Sequence, residues 1–319
     1  MAATDVLDQL KQFEEQYIPF PTFVAAKDAI ESSLSLFRET GLAKHMLVLG
    51  EAGTGKSSLC RWLAERHPKR VLPERNIVEA LFVATPPAAT VIGIADAILT
   101  ALGDPWHERG SVTAKTARIV TLCRECRVEI MLLDEAQHLH DRGDTRTHYM
   151  VGDWLKHLID AIGIPTVMLG LPRLERLLEI NDQLRRRFSR RLRLGLGQSD
   201  TDSVETECLQ LFLSLVSLVS VPVSSRPYDS KEMGMRLYFA SDGRVAYIKK
   251  LLASALQQAL DQNLDVVDAE VFERAFTDEL WWEGIGKLNP FNPKFEFRRL
   301  DRGGEPFQQA EEGRPRKAR

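Results

Sequence analysis

A doubly wound parallel α/β sheet in three layers, followed by a smaller helical domain, is the fold that the sequence predicts, and three observations predict it. Short apolar runs alternate with helical stretches from about residue 45 to residue 198. A glycine-rich loop lies between the first of these strands and the first helix, and beyond residue 198 the strand signals give way to helices. At 319 residues, 44% hydrophobic and 27% charged, the chain is long enough for such a core plus an appended domain and is not composed like a disordered one.

Before the sheet, Thr22 reads as an N-cap, Val24, Ile30, Leu34 and Phe37 recur at helical spacing, and Gly41 supplies a stop. The run 45–49 ends in glycines and reads as the first strand, and 57–66 follows as helix. A second strand is predicted over 80–84. Thr85-Pro86-Pro87 then makes a loop, and helices follow over 91–102 and 113–126. Ile, Met and Leu mark a buried strand over 129–133, a helix spans 148–162, the strand form repeats over 165–170, and 192–194 reads as an edge-like fifth strand. The stretches 204–218, 230–240, 245–260 and 269–280 are predicted as helices. The resulting division is an N-terminal segment 1–21, an α/β core 22–198, a helical lid 199–288, and a tail 289–319 whose Asn-Pro pairs, Gly303-Gly304 and basic residues predict extended, disordered chain.

Composition narrows the function classes. No run approaches the ~18 apolar residues of a membrane span, and the first ten residues are acidic and helical in character, so a cytoplasmic protein without membrane contact is predicted. Four cysteines are too sparse for a disulfide framework, and Cys123-Arg124-Glu125-Cys126 is half of a zinc pattern without a second pair. The net charge of −3 makes no global case for a polyanionic partner. Arg185, Arg186, Arg187, Arg190, Arg191 and Arg193 form one local basic block, and 314–319 forms another.

Gly50-Glu51-Ala52-Gly53-Thr54-Gly55-Lys56-Ser57 satisfies G-x-x-x-x-G-K-[ST] between a predicted strand and a predicted helix. Glycines let backbone N–H groups close around phosphate oxygens, Lys56 neutralises the β and γ phosphates, and Ser57 ligates Mg²⁺; Ser58 completes the set expected to bind ATP. Asp134 and Glu135 end the apolar run Ile130-Met131-Leu132-Leu133, at the sheet edge where parallel strands place ligands. Asp134 is expected to hold Mg²⁺ through its water shell and Glu135 to polarise the attacking water. Phosphoryl transfer also benefits from an arginine of a neighbouring subunit, and among the basic residues after the fourth strand Arg187 is the choice. In the lid, Asp242-Gly243-Arg244 opens a helix, from which Arg244 is expected to reach the γ-phosphate.

With phosphate loop, strand-end acids, post-strand arginines and lid arginine in this order, the chain resembles the AAA+ ATPases over 22–278. More narrowly it resembles the TniB/TnsC transposition regulators. The residues behind this are Asp134-Glu135-Ala136-Gln137-His138-Leu139, the stretch from Gly163 through Gly170-Leu171-Pro172-Arg173-Leu174, Asn181 through Phe188, and Gly243 through Leu251. The resemblance implies an ATPase that assembles with ATP as a ring or filament on double-stranded DNA, recruits a DDE transposase (TniA/TnsB-like), meets a TniQ-like targeting protein and disassembles on hydrolysis. It also implies DNA contacts near Ser111, Thr113, Lys115 and Arg118, largely sequence-independent and salt-sensitive. Many relatives carry a polar Asn, Thr or Ser at the end of the fourth core strand. Gly170-Leu171-Pro172 stands there instead, which suits slow, regulatory hydrolysis. A replication-type loader or motor, and a nucleotide-switched signalling ATPase without DNA, are the alternatives. Trp281, Trp282, Phe291, Phe295 and Phe297 are expected either to dock a partner on folding or, for the tryptophans, to cap the lid core.

Overall fold

The computed structural model describes residues 8, 11, 20–87, 90–141, 145–197, 203–217 and 221–308; most of the predicted N-terminal segment and the basic end at 314–319 lie outside them. The chain divides into two units, Thr22–Gly195 and a second that spans Leu196–Arg319.

The first unit follows helix α1 (Pro21–Thr40) with β1 (Met46–Leu49), α2 (Lys56–Arg66) and the short strands β2 (Arg70–Val71) and β3 (Asn76–Ile77). Next come β4 (Ala80–Ala84), α3 (Val91–Leu102), α4 (Val112–Glu125), β5 (Ile130–Asp134), α5 (His138–Asp141) and α6 (Thr145–Ile162). The unit closes with β6 (Thr166–Gly170), a 3-10 turn (Pro172–Leu174), α7 (Glu175–Ile180), α8 (Asp182–Arg187) and β7 (Arg190–Arg193). Five strands form one parallel sheet in the order β4-β5-β6-β1-β7, with Leu49 in register with Gly170 and with Arg193. The predicted doubly wound sheet is therefore the one that forms. Its inner strands are apolar on both faces because helices cover both, and Met46, Leu47, Met131, Leu132, Val167 and Leu169 are wholly buried. That order leaves β6 between the C-terminal ends of β1 and β5, so the loops after β1 and β5 open at one edge on either side of Gly170.

Local chemistry sets the boundaries. Thr90 caps α3 by accepting from the Gly93 N–H at 3.1 Å, and Gly103 ends it in the left-handed region (φ +84°). Thr22 was expected to be a cap, but α1 begins at Pro21. Proline there forfeits only an N–H that the helix could not use. The Thr22 hydroxyl instead donates to the Gly195 carbonyl at 3.1 Å and accepts the Gly195 N–H at 3.3 Å, tying α1 to the chain after β7.

In the second unit, α9 (Val204–Val216), α10 (Ser230–Ser241), α11 (Val245–Asp261) and α12 (Ala269–Ala275) pack around Cys208, Leu211, Met233, Leu237, Ile248, Leu252 and Phe272. Asp229 and Asp268 cap α10 and α12. The single helix predicted over 269–280 changes at Phe276–Leu280 into a π turn. The tail needs correction. Residues 289–308 are irregular, as expected of an extended segment, yet Phe291, Phe295, Leu300 and Phe307 are buried. Arg236, 1% exposed, fixes them: it donates to the carbonyls of Pro290 (2.5 Å) and Asn292 (2.9 Å) and lies 3.7 Å over the Tyr228 ring. Phe291 and Phe295 thus serve the chain's own core, whereas Trp282 is 74% exposed and caps nothing.

One feature of the first unit predicts a pH dependence. His45, before β1, accepts the Thr166 N–H at 3.2 Å and faces Phe188 at 5.6 Å. Burial, helped by the Arg187 charge and opposed by Asp160, lowers its pKa from 6.5 to about 4. The unfolded chain therefore binds a proton that the native chain refuses, so stability is complete above pH 6.5 and falls as pH drops towards 4. The loss is on the order of 2–3 kcal/mol, and urea unfolding at pH 7 and pH 5 should show its onset. In His45→Gln, which cannot titrate, that component of the pH slope should vanish.

Candidate functional site

The loop after β1 is shaped for close approach. Gly53 (φ +83°) and Gly55 (φ +100°) take left-handed conformations that L side chains rarely adopt. A Cβ at Gly50 would lie 2.3 Å from the Thr54 hydroxyl and 3.0 Å from the Leu194 carbonyl, so only glycine fits. Gly55 is also the N-cap of α2 and has no side chain to satisfy the first-turn N–H groups, which leaves those donors for an anion. Lys56, 6% exposed, donates through Nζ to the carbonyls of Gly50 (2.6 Å) and Glu51 (2.9 Å), and Thr54 Oγ1 donates to Glu51 at 2.9 Å. Glu51, Ala52 and Ser57 are exposed, and Ser58 is half-buried.

At the end of β5, Asp134 is half-buried and Glu135 exposed. Burial pushes the Asp134 carboxyl up from its ordinary value, the Glu135 amide that donates to its Oδ1 at 2.8 Å draws it down, the Glu135 charge raises it and the Lys56 ammonium lowers it. The same burial, with Asp134 nearby, raises the Cys60 thiol of α2 to about 12. Loop lysine and strand-end acids thus belong to one electrostatic neighbourhood. Glu135 holds φ +53°, costly for a residue with a Cβ and characteristic of functional turns. Its carboxylate accepts from Gln137 Nε2, while Gln137 Oε1 accepts the Leu171 N–H at 3.1 Å. Gln137 had no role among the expected site residues; its signal in the sequence was its place in the Asp134–Leu139 extension that carries the family resemblance.

A phosphate loop, Mg²⁺ and a nucleotide fit this cradle: it offers glycine-only backbone, open helix N–H groups, a lysine that can exchange carbonyl oxygens for phosphate oxygens, and a hydroxyl with a carboxylate for the ion.

Other expected site residues are placed differently. Arg187 is engaged within its own unit: Nε and Nη2 meet Asp160 at 2.7 and 2.6 Å, and Nη1 donates to the Gln183 carbonyl. Arg185 pairs with Asp182, and Arg191 and Arg193 with Glu175, whereas Arg186 and Arg190 are exposed without an ion pair among the described residues. Lys115 corrects the predicted DNA-contact set. It is 1% exposed, pairs with Asp96 and donates to the His107 carbonyl at 2.6 Å. Arg118 likewise donates to the carbonyls of Trp106 and Arg109 and pairs with Asp104 at 2.7 Å. Both cations brace the 104–110 loop through the carbonyls of Trp106, His107 and Arg109. Ser111 caps α4 by accepting from Ala114, and Thr113 is exposed. In the second unit Arg244 takes the N-cap position of α11 without a side-chain capping bond, lies 5.6 Å from the Phe307 ring and 3.4 Å from Asp242, and has a buried Nε with no hydrogen-bond partner among the described residues. Arg299 holds both oxygens of Asp242, at 2.6 and 2.7 Å.

The strand order, the glycine loop after β1 and the acids after β5 define the P-loop ATPase fold of the AAA+ class. Similar solved structures have the same architecture. Cdc6p of Pyrobaculum aerophilum matches with TM-score 0.61 and 16% identity over 90% of this chain and 73% of its own. Aeropyrum pernix ORC2, in ADPNP-ADP complexes, matches with TM-score 0.59 and 16% identity over 86% and 73%. A. pernix ORC1 in complex with DNA matches with TM-score 0.57 and 17% identity over 83% and 68%. Within this class the chain belongs to the TniB family: the model of the bacterial TniB protein matches residues 10–194, more than half of its length. No curated protein matches it.

Proposed function

We propose that this TniB-family chain is an ATP-hydrolysing regulator of DNA transposition that assembles on duplex DNA with ATP and is released by hydrolysis. The observation that carries the reading is the joining of Lys56 with Asp134 and Glu135 at one sheet edge. Lys56 exchanges the Gly50 and Glu51 carbonyls for phosphate oxygens, and the α2 N-terminus adds its dipole. Ser57 and Asp134 would hold Mg²⁺, which supplies neutralisation of the phosphate charge. Glu135 orients the attacking water and accepts its proton. An arginine from the next subunit completes the site. Arg186 is exposed for that task, whereas Arg187 would first have to leave Asp160. Arg244 is the residue proposed to report nucleotide state to the lid.

A DNA partner is supported by the family and by the DNA complex of the similar ORC1. With Lys115 and Arg118 engaged elsewhere, the contacts rest on other groups, among them Ser111 and Thr113. A DDE transposase and a TniQ-like protein complete the proposed partners, in the cytoplasm. Strand transfer by the cognate transposase should rise at least about tenfold when the chain and ATP are both present and stay at background with ADP. Equal product without the chain would remove the transposition reading, and hundreds of ATP hydrolysed per minute on DNA would favour a motor.

A further inference from the structure

We propose that Gln137 is the positioning residue of the hydrolytic site, standing in for the polar side chain that the end of β6 lacks. The inference deepens the assignment of Glu135 as base and rests on it.

Gln137 is 1% exposed and lies at the start of α5, so its carboxamide must find both a donor and an acceptor inside the protein. It finds one of each. Nε2 donates to Glu135 Oε2, and Oε1 receives the Leu171 N–H at 3.1 Å. The orientation of the amide is set by chemistry, since a carboxylate only accepts and a backbone N–H only donates. Beneath it, the Ala136 N–H donates to the Leu169 carbonyl at 2.8 Å, so backbone and side chain both tie the turn after β5 to the end of β6.

Gly170 makes room for this arrangement. A Cβ there would lie 2.8 Å from Gln137 Oε1 and 3.1 Å from the Gln137 backbone nitrogen. A serine, threonine or asparagine at 170 would push the Gln137 carboxamide out of its observed position. The polar group at the strand end therefore arrives from residue 137, and the bare Cα of Gly170 is its counterpart. Glu135 needs such a hold, because it is exposed and sits on a strained turn with φ +53°. The Gln137 donor ties its carboxylate to β6, the strand between β1 and β5.

Two variants of near-equal size separate this role from a structural one. Gln137→Met loses both hydrogen bonds, while Gln137→Glu keeps the acceptor for Leu171 N–H and replaces the donor to Glu135 with a second carboxylate. Both should lower kcat for ATP at least tenfold. The Kd for a fluorescent ATP analogue should not change beyond about threefold in either variant. In a Glu135→Gln background, Gln137→Met should lower the residual rate no further, because its effect passes through Glu135. Wild-type or faster turnover in Gln137→Glu, or a full multiplicative loss in the double variant, would overturn the proposal. If Glu135→Gln itself hydrolyses ATP normally, the base assignment fails first and Gln137 loses its role with it.

Discussion

Lys56→Ala is expected to lose ATP binding and assembly on DNA together. The side chain is buried against the loop it serves, and its two carbonyl acceptors, Gly50 and Glu51, belong to that loop. Its removal deletes a charge-assisted contact to phosphate worth about 2–4 kcal/mol, a loss of roughly 30- to 1000-fold in affinity. Fold stability should change little, because the carbonyls left behind border the exposed residues Glu51 and Ala52 and can turn to water. The check is nucleotide titration beside DNA-dependent sedimentation. A variant that binds no ATP yet still assembles would uncouple the loop from oligomerisation.

Glu135→Gln should have the opposite phenotype. The substitution preserves shape, and the new amide still offers an oxygen to Gln137 Nε2, so the turn keeps its geometry. What disappears is the group that accepts the proton of the attacking water, with an expected fall in kcat of about 10²- to 10⁴-fold. ATP binding should be retained, so complexes on DNA should form as with wild type and then persist. Single-turnover hydrolysis measured against the lifetime of the DNA complex tests this: rapid release from DNA by a variant that does not hydrolyse would disconnect disassembly from chemistry.

Much of this site was legible in the sequence for a physical reason. A phosphate loop needs glycines wherever φ is positive or backbones meet, and Gly50, Gly53 and Gly55 occupy those places. Inner strands of a parallel sheet need unbroken apolar runs, so β1, β5 and β6 stood out, and the apolar edge strand β4 was predicted to the residue. The edge strand β7 is Arg190-Arg191-Leu192-Arg193, paired on one side only, and its pattern revealed little beyond Leu192. Strands of two residues, β2 and β3, and helices of four to six, α5, α7 and α8, are too short to show a period.

Side-chain partners were the illegible part. Lys115 and Arg118 look like exposed cations at a helix start, and only tertiary structure reveals Asp96, Asp104 and three loop carbonyls around them. Arg187 and Asp160 lie 27 positions apart, and Arg236 meets a segment more than 50 residues away. Composition marked 289–319 as a tail, but over its described part, 289–308, hydrogen-bonding and ring contacts from Arg236, Tyr228 and Phe239 hold it. The Gln137 bridge was hidden for the same reason, since its meaning lies in Gly170, 33 residues on.

In the proposed function, nucleotide occupancy of residues 50–57 governs assembly on DNA, and hydrolysis ends it. Mass photometry of the wild-type chain on a duplex of arbitrary sequence tests this most directly. The expected result is multi-subunit complexes that persist with a non-hydrolysable ATP analogue, decay as ATP is consumed, and fail to form with ADP. Complexes of equal size and lifetime in all three conditions would contradict it.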